Sequence, residues 1–212
     1  QIDDFFVWSV IGVIVGGRLG YVIFYNLEYY VLNPNEILMV WKGGMSFHGG
    51  LIGLSASMYF FTKKKKIGFF TFANIVSCSV PIGLFLGRIA NFINGELSGK
   101  PTNGSWGVKF NDEDVPRHPS QLYESFFEGL VLFIILYLLV TSQKFKKFNM
   151  ACIFLIFYGV FRILIELFRE PDKHLGLVFF NFSMGQILSL PMIIIGLFFL
   201  TKKNEKNTTK FN

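Results

Sequence analysis

Charge is scarce in this sequence. Of its 212 residues only 16% are Asp, Glu, Lys or Arg, while 52% are hydrophobic, 18% are aromatic and the mean hydropathy is +0.48. Soluble domains carry about 25% charged residues, so the balance excludes an ordinary soluble fold and points to a membrane. Cysteine is scarcer still. Cys78 and Cys152 both lie inside apolar runs, where a thiol behaves as a small hydrophobe, and both are read as packing residues. His48, His118 and His174 are separated from one another and from both cysteines, so no metal-ligand spacing exists. No metal site and no cofactor is expected, and no nucleic-acid partner.

What is abundant is long apolar sequence. A bilayer core needs roughly 20 apolar residues per helix, and about six stretches approach that length: 5–25, 46–62, 70–93, 120–141, 150–168 and 182–201. The fold class expected is all-α, a polytopic transmembrane helix bundle forming a single integral-membrane domain over 1–212. The stretch 46–62 is the weakest of the six, being short and rich in glycine at its start. The longest non-apolar stretch, 94–119, mixes Gly, Pro, Asn, Asp and Trp106, and is expected to form a small ordered head. Gln1 replaces an initiator Met, and the first apolar run is too long for a cleavable signal, which reads as an N-terminally trimmed chain.

Orientation follows from lysine. Lys63 to Lys66, the group Lys144, Lys146 and Lys147, and a basic tail at 202–212 hold most of the lysines and are assigned to the cytoplasmic side. The segments 26–45, 94–119 and 169–181 then face the periplasm.

Ionisable side chains within membrane segments are costly unless paired or hydrated, so each is a functional hypothesis. Arg18, Arg88, Arg162 and Glu166 fall within the expected spans, and Glu96, Arg117, Glu124 and Arg169 at or just beyond their ends. All of them fall in the outward half, where planar guanidinium forks suit phosphate oxygens and a phospholipid headgroup is the natural ligand. Bland alternatives stand beside this. Arg162 and Glu166, one helical turn apart, could simply neutralise each other. Arg18, flanked by Gly16, Gly17 and Gly20, could serve a close helix contact instead of a ligand. Arg88 and Asn91 share a face close to the break at Asn94 and Gly95. His48, followed by Gly49 and Gly50, has the chemistry to take a proton from a thiol or to serve structure.

Six ordered blocks carry a resemblance: GGRLGYVIFYN from Gly16, GGMSFHGGLIG from Gly43, GRIANFINGELSG from Gly87, RHPSQLYE from Arg117, YGVFRILIELFREPD from Tyr158 and SMGQILSLPM from Ser183. Through them almost the whole chain resembles the prolipoprotein diacylglyceryl transferases. The resemblance implies a bacterial inner-membrane enzyme of seven helices, one more than the spans counted here. Its active site would face the outer leaflet. The partners implied are membrane lipids, phosphatidylglycerol as donor, and the lipobox cysteine of a prolipoprotein signal peptide as acceptor. The products would be a thioether and glycerol 1-phosphate, the first step of lipoprotein maturation.

Matched residue by residue, the resemblance places Arg88, Asn91, Glu96 and Gly99 in the functional set, adds Tyr158, Arg162 and Glu166, and matches His48. Arg88 and Arg162 would hold the donor phosphate. His48 or a nearby carboxylate would deprotonate the thiol, and Arg18 is a further binding candidate. The sequence departs from the usual pattern at Ser98, Ala90 and Leu167, where Trp, Gly and Phe are common. A lipid transporter would also bury arginines, but along a path through the midplane; a structural subunit would leave the intramembrane charges without a role.

Overall fold

A computed structural model describes residues 2–110, 114–142, 149–170, 177–179 and 182–208; for residues 2, 47, 48, 177–179, 184 and 203–208 the backbone alone is described. The lysine group at 144–147, His174 and the end of the basic tail lie outside the described residues. The architecture is all-α. Four helices among the described residues are long and apolar enough to cross a membrane: Asp3–Tyr25, Phe69–Ile93, Ser120–Thr141 and Gly185–Lys202. The chain divides into two compact units, 1–73 and 74–212.

In the first unit α1 (Ile2–Tyr25) packs along α3 (Phe47–Lys65), with the short α2 (Leu27–Leu32) and two 3-10 turns between them. Glycine makes this contact possible. A Cβ on Gly16 would lie 2.7 Å from the Cα of Gly53, and one on Gly20 would lie 2.7 Å from the Cα of Gly49. Gly12, Gly16 and Gly20 recur every four residues, so they form one stripe along which two backbones meet, the small-residue packing of membrane helices. The Ser46 hydroxyl accepts from the Gly49 amide at 3.1 Å and caps α3. The last turn of α3 is Lys63, Lys64 and Lys65, and α3 is not among the four long apolar helices.

In the second unit α4 (Phe69–Ile93) ends at the Asn94–Gly95 break. Gly95 takes φ 70°, its amide bonds Phe92 O, and the Glu96 amide reaches back to Asn91 O at 2.9 Å. This pair of bonds is the Schellman closure, which requires a left-handed residue and favours glycine. The head then returns on itself: Gly99 N bonds His118 O, Thr102 N bonds Pro116 O, and Val108 and Arg117 exchange both backbone bonds. α5 (Ser120–Glu124) continues through a π-helical segment (Ser125–Val131) into α6 (Leu132–Thr141). Gly129 in that segment faces the backbone of α4, where a Cβ would come 2.7 Å from Phe85 Cα.

α7 (Met150–Ile165) ends before the expected Phe168, because the chain turns to pair Arg169 with Gly99 of the head. α7 packs on α8 (Met184–Thr208) through Gly159 and Gly196, whose added Cβ atoms would meet Ile193 and Ile156 at 2.7 Å. A short hairpin of β1 (Leu177–Phe179) and β2 (Phe182–Ser183) precedes α8. Leu132, Leu136, Met150 and Ile153 form the apolar core, with Cys78 packed against it and Cys152 buried nearby in α7.

Gly20→Ala is expected to destabilise the protein by about 1–3 kcal/mol, the usual overpacking cost. Gly83→Ala, at a position with nothing within 4 Å, is the control and is expected to leave the thermal midpoint in detergent unchanged.

Candidate active site: a buried arginine–glutamate cluster

Three elements of the second unit converge on a carboxylate carried by a fourth. Glu124, fully buried at the end of α5, receives Arg88 Nε of α4 at 2.8 Å on Oε2 and Arg162 Nη1 of α7 at 2.6 Å on Oε1. Arg169 Nε, from the turn after α7, stands 3.7 Å from Oε1. The contact with Arg88 is a close ion pair whose N–H is not aligned on the oxygen. Arg162 is shared further: Nη2 lies 3.2 Å from Glu166 Oε2, and Nη1 lies 3.5 Å from Glu128 Oε1 in the π segment. Arg169 Nη1 also approaches Glu166, at 3.7 Å. Arg88, Arg162 and Arg169 thus face Glu124, Glu128 and Glu166, a set with no net formal charge.

The helix spacing explains how these residues meet. Glu124 and Glu128 follow one another down a single helix face, as do Arg162, Glu166 and Arg169 on α7 and its extension. Gly185 at the start of α8 lets that helix approach the Glu166 carboxylate, since a Cβ there would stand 2.8 Å from Oε2. Buried ions carry a desolvation penalty of several kcal/mol each. A simple Arg162–Glu166 pair would be the bland structural solution, whereas the cluster observed is three guanidiniums around a shared acid. Arg88 is its most exposed member, at 19%, and its terminal nitrogens make no hydrogen bond among the described residues.

The other candidate residues are placed as follows. Asn91 is half-buried near the end of α4, and its carbonyl accepts the Schellman bond from Glu96. The Glu96 side chain is exposed and joins no ion pair among the described residues, while its carbonyl accepts from Gln121 Nε2 at 2.6 Å. Gly99 is buried where the head bridges to Arg169; an added Cβ would come within 2.6 Å of both His118 O and Phe168 O, so any side chain there pushes the head away from the end of α7. Tyr158, one turn before Arg162, stacks on Phe154 with centroids 5.6 Å apart. His48 lies in the first turn of α3, with its side chain outside the described set.

Arg18, in the first unit, is committed to its own loop. Its Nε donates to Ile37 O at 2.8 Å, Nη2 to Glu36 O at 2.7 Å, and Nη1 to Gly43 O and Gly44 O, while Tyr30 covers the guanidinium at 5.1 Å. Only 3% exposed, it ties the carbonyls of residues 36, 37, 43 and 44 to α1. In that loop Lys42 donates to Glu36 at 2.7 Å and, with Tyr29, holds the Glu36 carboxyl below the usual carboxylate range.

Comparison with known proteins decides the relationship. The family model described as prolipoprotein diacylglyceryl transferase matches residues 1–202. The chain belongs to that family. It is 53% identical over 209 residues to the phosphatidylglycerol–prolipoprotein diacylglyceryl transferase of Rickettsia felis, covering 97% of this chain and 81% of the relative. The protein of the same name from Rickettsia bellii is 51% identical over 213 residues, covering 99% of this chain and 81% of that relative. A third, from Rickettsia akari, is 52% identical over 208 residues, covering 97% and 80%. Within this family the cluster around Glu124 stands as the candidate active site.

Glu124 and Arg169 stood out in the sequence as charges at span ends, but their pairing did not. Glu128 was missed, although the signal exists: a carboxylate inside an apolar span, one turn beyond Glu124. Glu124→Ala leaves three converging guanidiniums without their shared counter-charge and is expected to cost about 3–5 kcal/mol. Glu124→Gln, which keeps the shape and one acceptor, is expected to cost less; thermal unfolding in detergent reads both.

Proposed function

We propose that the protein transfers the diacylglyceryl group of phosphatidylglycerol to the lipobox cysteine thiol of a prolipoprotein, releasing glycerol 1-phosphate. The observation that carries the active-site assignment is the convergence of Arg88 and Arg162, from two different helices, on the two oxygens of one buried carboxylate. Guanidiniums that meet on a carboxylate fork are spaced to meet on two phosphate oxygens. Arg88 keeps its terminal nitrogens for that purpose.

The reaction asks little else of the protein. The thiol sulfur attacks the glyceryl carbon that carries the phosphate ester, a C–S bond forms, the C–O bond breaks, and its electron pair leaves on the phosphate oxygen. Negative charge grows on that phosphate in the transition state. Arg88 and Arg162, already oriented in a dry site, stabilise it without reorganising. Glu124, Glu128 and Glu166 hold the arginines charged and aimed while the site is empty. The thiol proton goes to a base, for which His48 and the carboxylates of the site are the candidates. Asn91, Glu96, Gly99 and Tyr158 shape the surroundings: Gly99 and the Glu96 carbonyl fix the head segment over the end of α7, and Tyr158 packs the turn before Arg162.

The lysines at the end of α3 favour an orientation with that end cytoplasmic and the head periplasmic. The enzyme would then work in the bacterial inner membrane, at the outer leaflet, on precursors already exported.

Arg88→Lys and Arg162→Lys are each expected to lower kcat by about 10²–10³-fold, because a point charge does not replace a bidentate fork. Membrane insertion and thermal midpoint serve as controls. Full activity in both variants, measured in liposomes containing phosphatidylglycerol, would remove the phosphate-binding assignment.

A further inference from the structure

Gln121 is fully buried on the same helix face as Glu124 and Glu128, one turn nearer the head. Its amide is split in use. Nε2 donates to Glu96 O at 2.6 Å, and because a carbonyl needs a donor, that bond fixes which way the amide points. Oε1 is left buried with no hydrogen-bond partner. An orphan acceptor inside a protein costs free energy and calls for a missing donor.

Its level in the site says what that donor would be. The helix begins at the head and runs inward, so Gln121 lies on the head side of the Glu124 level at which Arg88 and Arg162 meet. A phospholipid whose phosphate sits at those arginines, with its acyl chains directed into the bilayer, turns its headgroup toward Gln121. We propose that Gln121 reads the headgroup: its Oε1 accepts a hydrogen bond from a headgroup hydroxyl of the bound phospholipid, which favours phosphodiesters whose headgroup carries a donor over those that carry none. This rests on the function proposed above and adds a specificity residue to the same site.

A site built to bond a hydroxyl rejects the analogue that lacks one, because the buried acceptor is then left unpaired. The test compares phosphatidylglycerol with phosphatidylmethanol of identical acyl chains, which keeps the phosphodiester and removes the headgroup donor. The wild-type protein is expected to prefer phosphatidylglycerol by roughly tenfold or more in kcat/KM. Gln121→Met removes the acceptor. Gln121→Lys also removes it but retains a donor for Glu96 O, which guards against a folding defect. Both are expected to bring the ratio to within about threefold, through loss on phosphatidylglycerol.

A purely structural role, or an ordered water on Oε1, would lower the two lipids together and leave the ratio intact, which would overturn the proposal. Absence of discrimination in the wild type would overturn it as well. Should the wild type transfer neither lipid, the proposed function falls. The same ratio read as binding by native mass spectrometry then decides on Gln121: a preference lost in both variants supports it, and equal binding by the wild type overturns it.

Discussion

A single carboxylate organises the second unit of this protein. Glu124 is fully buried and holds guanidiniums from α4 and α7 at 2.8 and 2.6 Å, with that of Arg169 at 3.7 Å. In apolar surroundings no one of these charges is tolerable alone, so α4, α5 and α7 must come together to bring them into contact. The glycines follow from that demand. Gly129 lets the π segment press against the backbone of α4, Gly159 and Gly196 seat α8 on α7, and Gly185 brings α8 up to Glu166. A fold tied by ion pairs needs backbone approach as close as its side chains require.

The same arrangement suits function. Three guanidiniums matched by three carboxylates form a set with no net formal charge, in which each group is oriented by its neighbours. Arg88 is the most exposed member of the set, and its terminal nitrogens make no hydrogen bond among the described residues. Preorganised donors of this kind stabilise the negative charge that develops on a departing phosphate.

Much of this was legible in the sequence, for physical reasons. Apolar runs near bilayer length gave the all-α membrane class, and a charge in such a run is costly enough to mark itself, which is how Arg88, Arg162 and Glu166 were found. Gly95 announced the end of α4 because few other residues adopt its φ readily. Tertiary consequences were not legible. That Arg18 gives its donors to the carbonyls of residues 36–44 depends on where a loop returns, and no spacing encodes it. That α7 stops at Ile165 depends on the pairing of Arg169 with Gly99. Gln121 was invisible because its interest lies in what one of its two amide atoms lacks.

The most direct measurement supplies the protein with phosphatidylglycerol carrying labelled acyl chains and two lipobox peptides, one with Cys and one with Ser at the acceptor position. Label is expected on the Cys peptide, held through a thioether that neutral hydroxylamine, which cleaves thioesters, leaves in place, and none is expected on the Ser peptide. Phosphatidylglycerol bound but label on neither peptide would contradict it and turn the arginine cluster into a lipid-binding or lipid-moving device.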